Sequence, residues 1–579
     1  MFLVTTSDER TWKTDENILF LGEWCRLYSR KQEWSKLNHE VLPYHWNNRK
    51  KLYKDSKYLV GIYEKYLELY AEKLNKIHGY NHSLRYWRIV IGPWLHFFIE
   101  TIYDRYISIK ACRDRGDINS VWLLQSDPWC WVPNDSLQLY EYAYTDAWNG
   151  FIYGEIIKFL DCIPYKEISI DNSPPNALKV YNKSSIPKSL LKFLLLYSNT
   201  IPDSWKKIVF FDSGFGEYYM VSLSLKLKQI PFWFNSINIE NPEAVQGFRQ
   251  NLILSSASSE FEKLLEKLVP IQMPKVYLEG YLKRRQSLLS HYPKKPEIIV
   301  TANGYNSNDT FKIWAAEKTA QGAKLVIVQH GGLFGSALWV QWEDHQVAIA
   351  DKFYIWGKSN RKEPHVIKIS GGKLVRAKKR IKAKDGGSLL LVLAEIPRYS
   401  TALYSAPLST MLLDYFSDQF LFLQHLSKPA LELMNIRVFR RDFGWGMKQR
   451  LQDEGFGHLI DSTGQSYWQA LNKSRICIST YNATTYLETF AANYPTIIYW
   501  NPDHWELRPA AQPHFDALRQ EGILHDTPQS AAYQLNKIYA DPQQWWQQAN
   551  VQDAKNKFCS AFADVGPDWQ NEWVRELKK

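Results

Sequence analysis

The chain has 579 residues, room for roughly four units of about 150 residues or for fewer, larger ones. Hydrophobic residues at 45% and charged residues at 23% give the balance of a folded soluble protein, which excludes a disordered or low-complexity chain. Lys and Arg outnumber Asp and Glu by 71 to 60, a thinly spread net charge of +11 that favours phosphorylated small molecules or an anionic membrane surface over nucleic acid. Aromatic residues at 15% supply bulky surface for a core, or for stacking on sugar rings and bases. The six cysteines, Cys25, Cys112, Cys130, Cys162, Cys477 and Cys559, form no CxxC pair. That spacing makes neither a zinc site nor a disulfide framework and indicates a reducing compartment. The first ten residues lack a signal-peptide pattern. The apolar clusters near Leu190–Tyr197 and Leu389–Ala394 fall short of the roughly 18 residues of a spanning helix. A cytoplasmic protein, with peripheral contact at the inner membrane, is the expectation.

In chain order, Phe2-Leu3-Val4-Thr5-Thr6 reads as a short buried strand running into a polar loop at Ser7-Asp8-Glu9. From about Leu37 to Cys112 the pattern is helical. Within Tyr58–His78, Leu59, Ile62, Tyr63, Tyr66, Leu67, Leu69, Tyr70 and Leu74 recur at three- and four-residue spacing, a core stripe. Ile208–Phe211, Ile298–Thr301, Lys324–Val328 and Lys352–Trp356 read as strands of a parallel sheet, with a helix over Phe311–Gln321 between the second and third. Phe211-Asp-Ser-Gly-Phe-Gly216 reads as a turn. Lys358–Gly387, rich in Lys, Arg and Gly, reads as an exposed connector. Beyond it the α/β rhythm restarts with Leu389–Leu393, Arg437–Phe439, Ile476–Ser479 and Thr496–Trp500. Two α/β domains joined by a basic linker is the expected architecture.

The densest chemistry lies in Arg475–Trp500, which parses as strand, polar turn, helix, Pro495 and strand. The turn places Asn482, Thr484 and Thr485 at a helix N-terminus, where free N–H groups and the helix dipole suit a phosphate. Glu488, one turn on, is positioned for ribose hydroxyls. The same Thr485-x-x-Glu488 spacing also fits a capping box, in which the Glu serves only its own helix. Arg440 and Arg441 follow a strand at the carboxyl edge where open sheets bind ligands, either as a pyrophosphate fork or as surface residues partnered by Asp442. Gln329-His330-Gly331-Gly332 follows Lys324–Val328. Its glycines permit close backbone approach and His330 offers a titratable ring. For a general base the chain offers Asp8 and Glu9 at the end of the first strand and Glu395 after Leu389–Ala394, or these are ordinary surface carboxylates. GxxxxGK[ST], HExxH, GxSxG and DxD-type metal pairs are absent, which removes P-loop ATPases, zincins and common serine hydrolases.

Several motifs together carry a resemblance: Val4-Thr5-Thr6-Ser7; Pro43-Tyr44-His45-Trp46-x-x-Arg49; Arg85-Tyr86-Trp87-Arg88 with Gly92-Pro93-Trp94-Leu95; Gln329-His330-Gly331-Gly332; Val438-Phe439-Arg440; and Tyr481-Asn482-Ala483-Thr484-Thr485-x-x-Glu488 through Pro495-Thr496. Over nearly its whole length, including Trp545-Trp546 and the Trp569–Trp573 end, the chain resembles a bacterial family of transferases from O-antigen and surface-polysaccharide gene clusters. The resemblance implies an α/β enzyme with two Rossmann-like domains facing a cleft (GT-B type) and an α-helical insertion in the N-terminal domain. Residues 1–370 then form an acceptor-side domain with its insertion at about 37–115, 371–387 the basic linker, and 388–579 the nucleotide-sugar-binding domain.

The implied activity is a metal-independent glycosyltransferase, without cofactor, moving a sugar from a nucleotide-activated donor to a lipopolysaccharide-type or other lipid-linked acceptor. On that reading Arg440, Asn482, Thr484, Thr485, Glu488, Gly331 and Gly332 bind the donor, and His330, Asp8 and Glu395 are the catalytic candidates. Positioning and stabilisation of the departing phosphate would supply the catalysis. Two other readings share these residues: transfer of a polyol phosphate from a CDP-alcohol, and a non-catalytic carbohydrate-binding scaffold.

Overall fold

The computed structural model describes residues 1–170, 173–174 and 202–579, except 233, 235, 236, 238, 359, 360 and 385. The apolar cluster near Leu190–Tyr197 lies outside the described residues. Among the described residues, three five-stranded sheets, parallel throughout, carry the fold. The first has the order β3-β2-β1-β4-β5, from β1 (Phe2–Val4), β2 (Ile18–Phe20), β3 (His39–Val41), β4 (Ser120–Leu124) and β5 (Tyr165–Ile168). The second runs β10-β9-β8-β7-β6, from β6 (Ile208–Phe211), β7 (Ile298–Thr301), β8 (Lys324–Val328), β9 (Lys352–Ile355) and β10 (Val366–Lys368). The third runs β12-β11-β13-β14-β15, from β11 (Ser388–Val392), β12 (Met434–Arg437), β13 (Ser474–Ser479), β14 (Thr496–Tyr499) and β15 (Leu524–His525).

The central strands of the second and third sheets are the near-continuous aliphatic runs that burial on both faces demands. The separate first sheet was not anticipated. Its β3 (His-Glu-Val) and β5 (Tyr-Lys-Glu-Ile) are short and largely solvent-facing, so no apolar run announces them. β12 ends at Arg437, two residues before the expected strand end, which leaves Val438–Arg440 in the loop at the sheet's carboxyl edge.

Between β3 and β4 the chain runs through helices Arg49–His78, Leu84–Val90 and Gly92–Arg115. Asn48 caps the first by accepting from the Lys51 N–H, and Gly79, at φ 71°, ends it in the left-handed region that glycine tolerates best. Its stripe of Leu59, Ile62, Tyr63, Tyr66, Leu67, Tyr70 and Leu74 is buried. One hydrophobic core runs unbroken from the first sheet through these helices to the second sheet.

The basic stretch 371–387 is not an extended linker. Gly372–Arg380 is a helix whose Leu374, Val375 and Ala377 face inward, and Ala377 packs with Leu390, Val392 and Cys477 of the third sheet. Leu374 and Ala377, with Ile381 just past the helix end, recur at three- and four-residue spacing, so the helix is amphipathic, and the lysines and arginines cover its outer face. The helix starting at Glu217 after the Phe211–Gly216 turn also went unread in the sequence. The last helix, Trp569–Lys578, returns to the second sheet, where the Trp573 indole donates to the Ser370 carbonyl at 2.8 Å and Trp569 stacks on Phe215.

Candidate functional site

In an open parallel sheet, ligands settle at the carboxyl edge where the strand order reverses. In the first sheet that point lies between β1 and β4, and it is filled by protein. Thr5 and Thr6 are buried, and their carbonyls accept the Trp24 and Trp12 indoles, each at 3.1 Å. Asp8 caps the short turn Glu9–Thr11, and its carboxylate is held by the Arg10 guanidinium, with one contact of 2.5 Å. It therefore stands in an ion pair of its own, apart from the cavities described next.

In the third sheet the reversal falls between β11 and β13, and there the chain opens a cavity of about 440 Å³. Val392 and Leu393 at the end of β11, Arg437–Arg440 past β12, and Tyr481, Thr485 and Glu488 past β13 line it, with Lys373 and Trp468 at its side. Arg440 is exposed at its rim. Arg437 is fixed by Asp461 at 3.2 Å and by the Gln465 carbonyl at 2.9 Å. Arg441 turns away and forms a bidentate pair with Glu141, at 2.8 and 3.0 Å, rather than pairing with Asp442.

The helix Thr484–Ala491 begins at this cavity with Ala483 as its N-cap and no side chain capping it. The capping box that the Thr485–Glu488 spacing allowed is not formed. Instead Glu488 accepts from the Trp468 indole at 2.9 Å and lies 3.8 Å from the Lys373 ammonium. Burial pushes the Glu488 carboxyl above its ordinary range, against the pull of Lys373 and Arg376. Asn482 is buried and accepts from the Tyr486 hydroxyl at 2.8 Å, while its Nδ2 has no partner. It shapes the bend from beneath.

The other side of the same helix start faces a second cavity, of about 360 Å³, between the second and third sheets. His330, Gly331 and Gly332 past β8, the loop Ile396–Thr401 past β11, Ala483, Thr484, and the rings of Tyr144, Tyr305 and Tyr404 line it. The contact between the sheets is backbone on backbone: a Cβ on Gly332 would fall 2.4 Å from the Ala483 carbonyl oxygen. His330 packs edge-on to Phe334. Burial, with the Lys373 charge adding to it, brings its ring down to about 4, and its buried Nδ1 has no hydrogen-bond partner. The imidazole is thus neutral at pH 7, and the same burial and charge disfavour its protonated form.

The structure brings together ten candidates only in part. His330, Gly331, Gly332 and Thr484 line one cavity, and Arg440, Thr485 and Glu488 the other. Glu395 lines neither: its carboxylate accepts from the Phe443 N–H at 2.7 Å. Burial pushes it up to about 8, the Phe443 hydrogen bond opposing and neighbouring Asp442 adding to the rise. Lys373, Arg437, Trp468, Tyr305 and Tyr399 were missed in the sequence. The adjacent aromatic pair Tyr467-Trp468 after Ser466, and the Pro397-to-Thr401 run directly after a strand, were the signals available. Among the described residues, no three His, Cys, Asp or Glu side chains converge on a metal-holding position.

The third sheet's carboxyl edge thus combines cations, aromatic faces and a helix start that no side chain caps. Residues 1–577 match the model of the LIC12162 family transferase, and the protein belongs to that family. It is a transferase. No curated protein matches the chain. Among solved structures, it is similar to the wall teichoic acid polymerase TagF at 10% identity and a TM-score of 0.27, over 51% of this chain and 86% of that one. A second TagF structure gives 9% and 0.28 over the same shares. That superposition is too loose to bear on fold or chemistry.

Proposed function

We propose that this transferase is a glycosyltransferase of the GT-B kind, taking a sugar from a nucleotide-activated donor. The observation that carries the reading is the helix start Ala483–Thr485, with one cavity on each side. The 440 Å³ cavity lies at the strand-order reversal of the third sheet and offers Lys373, Arg437 and Arg440 to phosphates and the Trp468 and Tyr481 rings to a base. The uncapped N–H groups of Thr484 and Thr485 and the helix dipole add to that field. Glu488 takes the ribose hydroxyls. The sugar then points past Thr484 into the 360 Å³ cavity, where neutral His330 orients the attacking hydroxyl by accepting its hydrogen bond. Bond breaking is aided by stabilising charge on the departing phosphate, with the cations and helix dipole already in place.

In this reading the first two sheets form the acceptor side and the third the donor side. The acceptor is a surface polysaccharide or its lipid-linked precursor of the O-antigen or lipopolysaccharide type, met at the cytoplasmic face of the inner membrane. A net charge of +11 favours that anionic surface. Among the described residues no helix is long and apolar enough to cross a membrane. The test is product analysis. The protein is incubated with UDP-, GDP-, dTDP- and CMP-sugars, and in parallel with CDP-alcohols, each with a crude membrane acceptor fraction. A new glycosidic linkage formed from one donor supports the proposal; a phosphodiester in the product assigns polyol-phosphate transfer instead.

A further inference from the structure

A third cavity, of about 650 Å³, opens at the carboxyl ends of β6 and β7, away from the helix Thr484–Ala491. That size lies within the roughly 300–1,000 Å³ of small-molecule sites. Its lining is planar and polar: Asp135, Asp212, Arg284, Asn303, Asn306 and Asn308, with the Phe211 ring as its aromatic wall. Two of its lining residues each carry one buried polar atom without a partner among the described residues. Arg284 is 8% exposed, and among the described residues its guanidinium donates to neutral groups, Thr310 Oγ1 at 3.2 Å, the Ile239 carbonyl at 2.8 Å and Asn241 Oδ1 at 3.1 Å. Its Nε is buried with no acceptor, and the buried Oδ1 of Asn306 has no donor. Unmet polar groups of this kind are costly to bury and mark where a ligand or ordered water completes the pattern.

The chemistry of the wall selects the ligand. A phosphate is disfavoured by the carboxylates of Asp135 and Asp212, and a cation by the guanidinium at the back. Interleaved donors and acceptors on planar groups match vicinal hydroxyls, each of which both donates and accepts. Asn306 lines this cavity and also the one that holds His330, so the two adjoin. We propose that the cavity bounded by Asp212, Arg284, Asn303 and Asn306 is a saccharide-binding site that seats an uncharged sugar of the acceptor glycan and presents its next residue to the His330 cavity. The acceptor role rests on the glycosyltransferase reading; sugar binding does not.

The full chain, labelled and without nucleotide, is therefore probed on an array of immobilised neutral and uronic-acid-containing bacterial surface oligosaccharides. Leaving out nucleotide keeps the outcome independent of whether the donor site is correctly assigned. At least one neutral glycan should bind, and binding should fall tenfold or more in the double variant Asp212→Gly, Asn303→Ala. Both positions are exposed, and glycine tolerates the φ of 44° at residue 212, so the variant should keep the wild-type melting temperature. Asn306→Ala should weaken the same glycan independently. The proposal is overturned if no neutral glycan binds, if only acidic glycans bind, or if these folded variants bind like the wild type.

Discussion

At Gly332 the side chain is excluded by backbone, since the Ala483 carbonyl would stand 2.4 Å from a Cβ and no rotamer change relieves that contact. Gly332→Ala must therefore push the β8 loop off the bend at Ala483, at a cost of about 1–3 kcal/mol. A lower melting temperature together with weaker nucleotide binding is expected; unchanged nucleotide binding would show that the two loops need not touch. Two buried groups give opposite pH signatures. Glu395, raised to about 8 from an ordinary 4.5, contributes stability that is complete below pH 4.5 and lost as pH rises towards 8. His330, lowered to about 4, contributes stability that is present above pH 6.5 and lost as pH falls through 4. Melting curves should show the alkaline loss flattened in Glu395→Gln and the acid loss flattened in His330→Gln. If both variants track the wild type across pH 4–9, the burial assigned to these groups is wrong.

On the proposed reading, the helix Thr484–Ala491 trades stability for a site. An ordinary N-cap of Ser or Asp is worth roughly 0.5–2 kcal/mol, yet Ala483 stands there with extended backbone and supplies no acceptor. Ala483→Ser should raise the melting temperature and weaken nucleotide binding several-fold, because its hydroxyl takes an N–H meant for phosphate. Gain of both would mean those N–H groups do not serve the ligand. How far such elements can be read from sequence depends on burial. β7, β8 and β13 are aliphatic runs buried on both faces and were legible to within two residues. The helix stripe at Leu59–Leu74 was equally plain. β3 and β5 expose charged side chains and were invisible. The helix Gly372–Arg380 was hidden because lysines and arginines fill every position its narrow apolar stripe leaves open. The Thr484 turn and the Gly331-Gly332 loop stood out as local chemistry. Lys373, Arg437 and Trp468 did not, since each reaches the cavity only through the packing of three separate segments.

For the whole molecule, the loop after β11 binds the third sheet to the first. Arg398 in that loop is buried and donates to Asp146 at 2.9 Å, to the Phe443 carbonyl at 3.0 Å and to Ser7 Oγ at 3.3 Å. Arg49 makes a second tie, with both contacts to Glu506 at 2.7 Å. Arg398→Met leaves Asp146 without its cation. With Asp146 a quarter exposed, the loss should be about 2–4 kcal/mol, below that of a fully buried pair. A measurably lower melting temperature is expected, and an unchanged one would mean that the sheets are held by apolar packing alone. The proposed transfer requires a nucleotide seated at the carboxyl edge of the third sheet. Calorimetric titration of CMP, UDP, GDP and dTDP into the wild type and into Arg440→Ala tests this most directly. One nucleotide should bind the wild type and lose at least tenfold in affinity in the variant. Heat from none of the four, or equal affinity in both proteins, would contradict it.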